Sequence, residues 1–183
     1  KHPYASDAVN HLIDLAKKSD EPLFVAALGA LTNIASAILI EPKIIEKIVI
    51  VWLGGQAFHW PNTNEFNLAG DMLAARLIFD CGVPLVQIPC LGVTTHLRTT
   101  VSEIDQFVTG KSSIGDFLAE RYKEYKNIRF GGSKEIWDIV VMAYLINAEW
   151  IPSYITSSPM IAQQPPLKEP SPNPYPREKH QLT

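Results

Sequence analysis

Two short runs in which every residue is apolar constrain the fold of this chain most strongly. They are Leu23–Leu28 (LFVAAL) and Ile48–Leu53 (IVIVWL). A strand that is apolar on both faces is typical of a parallel sheet covered by helices on both sides. A third run, Val83–Ile88, carries Pro84 near its start, where a strand tolerates proline. These runs predict three buried strands.

Segments with helical spacing of apolar residues separate the predicted strands. We predict helices over Ala8–Lys18, Ile34–Ile40 and Asp71–Phe79, and a further helix over Lys134–Asn147 that opens with KEIWD. Alternation of strands and helices is typical of α/β proteins. The predicted fold class is therefore α/β, with an open, mostly parallel sheet that has helices on both faces.

Composition changes at the carboxyl-terminal end. Proline, serine and charged residues dominate from Ser157 onward. Such a segment is typical of an extended or disordered tail. We predict one α/β domain over residues 1–156 and a proline-rich tail over 157–183.

Charge and hydropathy restrict the partners. The net charge is −3 and no run of Lys or Arg stands out, which argues against nucleic acid or a membrane surface as a partner. No apolar run approaches the roughly 20 residues that span a bilayer, and no signal peptide is visible. We expect a cytoplasmic protein with two free thiols, Cys81 and Cys90. Because the chain begins at Lys1 rather than Met, we also expect it to be a piece of a longer protein.

A long polar loop follows the second strand. It breaks at Gly54–Gly55 and runs to about Leu68. Loops that leave the carboxyl ends of strands bind ligands in open α/β sheets, and loops of this length are usually functional or disordered. Aromatic residues argue against disorder here. The polar side chains are Gln56, His59, Asn62, Asn64, Glu65 and Asn67.

Two polar residues of this loop are spaced to face the same way. In an extended segment, Glu65 and Asn67 lie on one face and Phe66 on the other. A carboxylate and an amide together suit the hydroxyls of a sugar, because they accept and donate hydrogen bonds. The alternative is a polar loop whose side chains bond their own backbone.

Several residues outside this pair have two interpretations. Asp138 is either a carboxylate favoured by the helix dipole or a ligand of a hard cation such as calcium, which combines carboxylates with backbone carbonyls. Thr32 is either a helix cap or the source of such a carbonyl. Trp137 is either a core residue or a stacking partner for a flat heterocycle. His59 and His96 are either ordinary loop residues or groups that titrate near neutrality.

Three pieces of sequence occur together in one order. They are LTNIA at Leu31–Ala35, a double-glycine loop that ends in EFN at Glu65–Asn67, and IWD at Ile136–Asp138. With the AGDMLAARLIF that follows EFN, they resemble the inosine–uridine-preferring nucleoside hydrolases. The resemblance extends roughly from Pro22 to Ile155.

The resemblance implies an open Rossmann-like sheet and assembly into dimers or tetramers. It implies hydrolysis of the N-glycosidic bond of ribonucleosides by water, with a calcium ion as cofactor and a role in nucleoside salvage. The partner would be a small-molecule nucleoside. A nucleoside- or sugar-binding relative without catalysis is the main alternative, and an interaction module is a third.

The resemblance also assigns site residues. Thr32 would give calcium its backbone carbonyl and Asp138 its carboxylate. Trp137 would lie against the leaving base. Many members of the family have a histidine there as the leaving-group acid, so a tryptophan implies activation by stacking or a different base.

The sugar would be bound by residues of the central loop. Glu65 would bind the 5′-hydroxyl and Asn67 the 3′-hydroxyl. The family has a further asparagine before EFN, for which Asn62 and Asn64 compete, with Asn62 preferred.

One family marker is not found. The family carries an aspartate cluster of the form D-x-D-x-x-x-D-D near its amino terminus, whereas this chain begins KHPYASD. Either the first part of the family domain is missing from this chain, or the protein does not hydrolyse nucleosides. We favour the first, because an exposed half sheet with strands this apolar would aggregate.

Overall fold

A computed structural model describes residues 2–62, 64–125 and 132–161. The helices are α1 Asp7–Lys18, α2 Thr32–Ile40, α3 Phe66–Gly70, α4 Met72–Asp80, α5 Val101–Phe107, α6 Ser113–Lys123 and α7 Ile139–Ile146. The strands are β1 Leu23–Leu28, β2 Ile48–Leu53, β3 Leu85–Ile88, β4 Arg98–Thr100 and β5 Ser133–Glu135. Short 3-10 turns occupy Pro42–Glu46, Thr94–His96 and Ala148–Trp150.

The main sheet is parallel and its strands follow the order of the chain, β1-β2-β3. Leu28 lies opposite Leu53, and Leu53 lies opposite Ile88. The three strands therefore end at one edge of the sheet, which we call the carboxyl edge. The predicted α/β fold with a parallel sheet is confirmed.

Apolar clusters cover both faces of this sheet. The larger one joins Ile48, Ile50 and Trp52 of β2 to buried residues of α1, α2 and α4. The smaller one joins Val51 and Leu53 to β3 and α7. Because side chains alternate along a strand, β2 contributes to both clusters and is the most deeply buried strand of the sheet.

The predicted helix over Lys134–Asn147 is wrong in its first turn. Ser133–Glu135 forms β5, which pairs antiparallel with β4, and α7 begins only at Ile139. The Arg98 guanidinium contacts Glu135 and donates to the Ser133 side chain at 2.9 Å and to the Ser133 carbonyl at 2.7 Å. The segment Ser133–Glu135 is thus held by Arg98, 35 residues before Ser133 in the chain. The apolar periodicity of the following helix does not reveal this distant partner.

The end of the described chain has no regular structure. Residues 152–161 contain no helix or strand, although Tyr154–Thr156, which consists of aromatic and β-branched residues, has the composition of a short strand. Ile161 is only 4% exposed and belongs to the larger cluster. The remainder of the predicted tail, 162–183, lies outside the described residues, and the boundary at residue 156 stays a prediction. Within the described part of the chain, no helix has the length and apolar character required to cross a bilayer.

Candidate active site

Trp52 supports two turns at the carboxyl edge. Its side chain is fully buried, and its indole N–H donates to the Gly29 carbonyl at 2.9 Å. The same indole lies against Gly54, where an added Cβ would be 2.0 Å from a ring carbon. Phe79 packs edge-on against it, with ring centroids 6.1 Å apart. Trp52 therefore links the turn after β1 to the loop after β2.

The central loop is held to the chain that follows β3. Gln56 is 1% exposed; it accepts from the Leu91 N–H at 2.6 Å and donates to the Asn64 carbonyl at 2.9 Å. Gln87 donates to the Gly54 carbonyl at 3.0 Å. We did not predict a role for Gln56 beyond its place in a polar loop. Its burial depends on partners that local sequence does not identify.

The Glu65 carboxylate organises the backbone around it. Its Oε1 accepts from the Asn67 N–H, and its Oε2 accepts from the N–H groups of Gly55 and Leu68, each at 2.8 Å. Glu65 is 7% exposed and caps the amino terminus of α3. This buried carboxylate therefore fixes the loop to the start of α3 through three backbone donors.

The next two residues point differently. Phe66 is 90% exposed, whereas Asn67 is half-buried. The Asn67 side-chain N–H donates to the carbonyl of Leu53 at 2.9 Å, which places Asn67 at the end of β2. Glu65 and Asn67 thus both lie at the carboxyl edge, although their assigned contacts with a sugar stay predictions.

The two competing asparagines have backbone contacts. The Asn62 side-chain oxygen accepts from the Asn64 N–H at 3.2 Å. Asn64 is exposed, and its carbonyl accepts from Gln56. The alternative of a loop side chain bonded to nearby backbone therefore describes Asn62 in this structure.

Thr32 does not cap α2. It is the first residue of that helix, whose cap position is Leu31, with no side-chain capping bond. The Thr32 hydroxyl instead donates to Asp71 Oδ2 at 2.8 Å, while Asp71 Oδ1 accepts from the Ala74 N–H at 3.0 Å and caps α4. The capping function of Asp71 could be read from an acidic residue before an apolar helix, but its bond to Thr32 could not.

Trp137 and Asp138 form the turn that leads into α7. Trp137 is half-buried and packs against the smaller cluster, while Asp138 is exposed at the cap position of α7 without a side-chain capping bond. Burial, together with the negative charges of Glu65 and Asp138, raises the pKa of the Cys90 thiol to about 11. Both carboxylates are therefore close enough to the Cys90 thiol to raise its pKa.

The two histidines occupy loops of this region. The His59 ring lies against Gly92, where an added Cβ would be 3.4 Å from Nε2, and it contacts Trp60 edge-on at 6.4 Å between centroids. His96 is exposed in the turn Thr94–His96. Their expected roles stay open between loop residue and acid–base group.

The described residues provide only part of a metal site. A calcium ion takes about six to eight oxygen ligands, and the proposed donors here are the Asp138 carboxylate and the Thr32 carbonyl. Residues 2–62, 64–125 and 132–161 contain no group of three or more His, Cys, Asp or Glu placed to hold a metal. The described chain alone therefore does not complete a calcium site.

A family model decides the relationship. The model described as inosine-uridine preferring nucleoside hydrolase matches residues 1–169. This chain belongs to that family. The resemblance of LTNIA, EFN and IWD is confirmed at the level of the family.

Two curated members of the family share 30% of aligned residues with the chain. One is the pyrimidine-specific ribonucleoside hydrolase RihB of Escherichia coli O139:H28, aligned over 80% of this chain and 49% of its own length. The other is the putative pyrimidine-specific ribonucleoside hydrolase RihB of Shigella boydii serotype 4, aligned over 80% of this chain and 63% of its own length. The chain thus spans about half of the length of the first relative and just under two thirds of the length of the second.

Solved structures of nucleoside hydrolases have the same fold. The purine-preferring ribonucleoside hydrolase of Gardnerella vaginalis is 25% identical, with a TM-score of 0.72 over 89% of this chain and 54% of that chain. A plant nucleoside hydrolase is 22% identical, with a TM-score of 0.68 over 92% of this chain and 55% of that chain. This nucleoside hydrolase fold confirms the predicted sheet with helices on its faces.

Proposed function

We propose that the protein to which this chain belongs hydrolyses the N-glycosidic bond of ribonucleosides to ribose and free base. The observation that carries this proposal is the position of Glu65 and Asn67 at the carboxyl edge, where Asn67 bonds the last residue of β2 and Glu65 bonds Gly55. Membership of the nucleoside hydrolase family supports it. Two relatives are named pyrimidine-specific and one is named purine-preferring, so we leave the preferred base open.

The sugar would be bound by Glu65 and Asn67. A carboxylate has about four lone-pair sites, of which backbone N–H groups occupy three in Glu65. The site that is left suits the 5′-hydroxyl as a donor. Asn67 uses its N–H toward Leu53, and its side-chain oxygen is the group we assign to the 3′-hydroxyl. Asn62 is the preferred additional sugar ligand.

We infer that calcium is the metal and that Thr32 and Asp138 provide two of its ligands. The others would come from protein outside the described residues, since the described ones do not complete the site. When bound, calcium supplies a positioned water with a lowered pKa.

The residues of this chain would then stabilise the reacting sugar. Cleavage of a glycosidic bond develops an oxocarbenium-like ribose. The Glu65 carboxylate and the Asn67 side-chain oxygen present negative charge and a dipole to it, and preorganised groups of this kind are the largest source of catalysis in many enzymes. Asp138 would hold the metal, and an aspartate of the family's amino-terminal cluster would accept a proton from the attacking water. The half-buried indole of Trp137 would stack on the leaving base.

A nucleoside-binding relative without catalysis is the second candidate. It is favoured by one observation, the lack of a carboxylate cluster among the described residues. Assembly into a homodimer or homotetramer, cytoplasmic location and a role in salvage are further proposals that follow from the family.

The decisive experiment measures ribose release. The protein is incubated with purine and pyrimidine nucleosides, with and without a calcium chelator, and reducing sugar is assayed.

Asn67→Ala should lower turnover by about 100-fold, because well-placed transition-state groups contribute that much. Its matched control is Asn147→Ala, which removes a local cap on Glu149 far from EFN in the chain and should leave turnover unchanged.

The two candidates give different results. Hydrolysis predicts ribose from at least one nucleoside and loss of that activity with the chelator. Nucleoside binding without ribose from any member of the panel would establish the second candidate instead.

A further inference from the structure

Two segments far apart in sequence meet beside the site. The turn at Ala30–Thr32 lies against Gly70–Asp71, and we call this contact the Thr32–Asp71 seam. An added Cβ on Gly70 would be 3.0 Å from the Ala30 Cβ. The Thr32 hydroxyl donates to Asp71 Oδ2 at 2.8 Å across a separation of 39 residues. The contact is therefore close at two adjacent points.

The two oxygens of Asp71 have different partners. Oδ1 accepts from the Ala74 N–H and caps α4, and Oδ2 accepts from Thr32. A helix cap requires a single side-chain oxygen, which serine, threonine or asparagine also supplies. The bond of the second oxygen of Asp71 is therefore not explained by the cap, and its effect is to fix the first residue of α2 to the cap residue of α4.

Asp71 is also directly connected to the sugar-binding turn. Asn67 lies in α3, a single short helix that ends at Gly70, and Asp71 is the next residue. The Thr32 turn is thus tied, through one side-chain bond and one helical turn, to Asn67. Any movement of the seam changes the separation of the two turns that the proposed function uses.

We propose that Asp71 is a positioning residue, which holds the Thr32 turn at a fixed distance from the Glu65–Asn67 turn. Its catalytic consequence rests on the proposed function. Small displacements of reacting groups are costly, since a shift of about 1 Å can cost about 100-fold in rate. Loss of the Thr32 bond with the cap retained should therefore reduce turnover more than stability.

Two substitutions open the seam from opposite sides. Asp71→Ser keeps an oxygen that caps α4 but is too short to reach Thr32 as well. Thr32→Val removes the hydroxyl and keeps the shape of the side chain. We expect each to lower kcat by about tenfold or more, and the double variant to be no worse than either, because both remove one interaction. Thr32→Ser should rescue most of the loss seen in Thr32→Val.

A third substitution disturbs the seam without removing any polar group. Gly70→Ala places a methyl group 3.0 Å from Ala30 and pushes the segments apart. It should lower kcat in the same direction. The matched control is Ser112→Ala, which removes the cap of α6 and should lower the melting temperature while kcat is unchanged.

A second measurement does not depend on activity. Hydrogen–deuterium exchange of the amides at residues 29–33 should accelerate in Asp71→Ser, Thr32→Val and Gly70→Ala and stay at the wild-type rate in Ser112→Ala. Unchanged exchange in the first three, or faster exchange with unchanged kcat, would overturn the proposal. If the wild-type protein releases no ribose, the proposed function fails, and exchange still decides whether Asp71 fixes the turn.

Discussion

The carboxyl edge and the α5–α6 hairpin use polar side chains in different ways. At the carboxyl edge, the bonds of Trp52, Gln87 and Thr32 join residues 23, 33 and 39 positions apart. In the hairpin, Thr100 and Glu103 form a capping box, and Thr109 bonds Asp105 four residues away. The first set fixes separate segments to one another. These bonds of the hairpin stabilise single turns, and its longer contact, Lys123 with Asp105, is exposed to solvent.

The carboxylates of the two regions also differ in their exposure to solvent. Hydrogen bonds from Thr100 and Thr99 lower the pKa of Glu103, and a bond from Lys123 lowers that of Asp105. Both carboxylates are solvent-exposed, so water and salt screen these interactions. Glu65 is buried and accepts from three backbone groups. Removal of a carboxylate should therefore be far more costly at the carboxyl edge than in the hairpin.

The largest effect is expected for Glu65→Ala. It leaves three backbone N–H groups without their acceptor, and an unsatisfied buried donor costs about 1–3 kcal/mol. We expect a loss of about 4 kcal/mol in the free energy of unfolding, measured by urea denaturation. The control is Glu103→Ala, which should leave the unfolding midpoint near that of the wild type. Equal losses in both variants would contradict the comparison.

Gly54→Ala should have the next largest effect. Its Cβ would overlap the indole of Trp52, which is fully buried. Overpacking of this kind costs about 1–3 kcal/mol, and we expect the upper part of that range. In the Trp52→Phe background the smaller ring leaves space, so the same substitution should cost less. A cost that is the same in both backgrounds would show that the indole is not the obstacle.

Trp52→Phe alone should have a smaller effect. It removes the N–H that reaches the Gly29 carbonyl, and a lost hydrogen bond and a small cavity together cost about 1–2 kcal/mol. Hydrogen–deuterium exchange should be faster at residues 29–31 than in the wild type. Exchange that increases equally in the α5–α6 hairpin would indicate general destabilisation instead.

The smallest effect concerns the titration of Cys90, because its thiol is only half-buried and water screens the interactions that shift its pKa. Its pKa is raised from 9.0 to about 11, so the folded protein keeps the proton that the unfolded chain loses. Stability should therefore fall as pH rises from about 9 toward 11, and alkylation of Cys90 should accelerate over the same range. Asp138→Asn should lower the pKa of Cys90, whereas Asp105→Asn should not. If the pKa of Cys90 in Asp138→Asn equals that of the wild type, Asp138 does not lie near the Cys90 thiol.

Sequence patterns predicted those helices and strands whose buried face is visible in their own apolar spacing. β1 and β2 have the predicted bounds, and α1 begins within one residue of the predicted start. Apolar runs and helical periodicity report which face of an element is buried, and here they agree with the fold. The start of α7 was mispredicted because Ser133–Glu135 pairs with a strand about 35 residues earlier.

The sequence predicted where the candidate site lies, but it did not predict the hydrogen bonds that hold the site together. The motifs placed Glu65, Asn67 and Thr32 in turns that follow strands, and the structure has these turns at the carboxyl edge. The bonds of Gln56 and Asp71 were not predicted, because each depends on a partner in another segment. Side-chain types identify candidates for a site, while the distances between segments arise only when the whole sheet is packed.

The order of the strands has a consequence for how the chain folds. In the main sheet, β2 pairs with β1 and β3 pairs with β2, so each pair consists of strands that are consecutive both in the chain and in the sheet and are joined by one crossover connection. Contacts of short sequence separation favour rapid folding. During synthesis, β1 and β2 can pair while the later part of the chain is still in the ribosome. The hydrogen bond from Trp52 to the Gly29 carbonyl would then form before Asp71 and Thr32 meet. The turn after β1 would thus be held first by β2 and only later by the residue that caps α4.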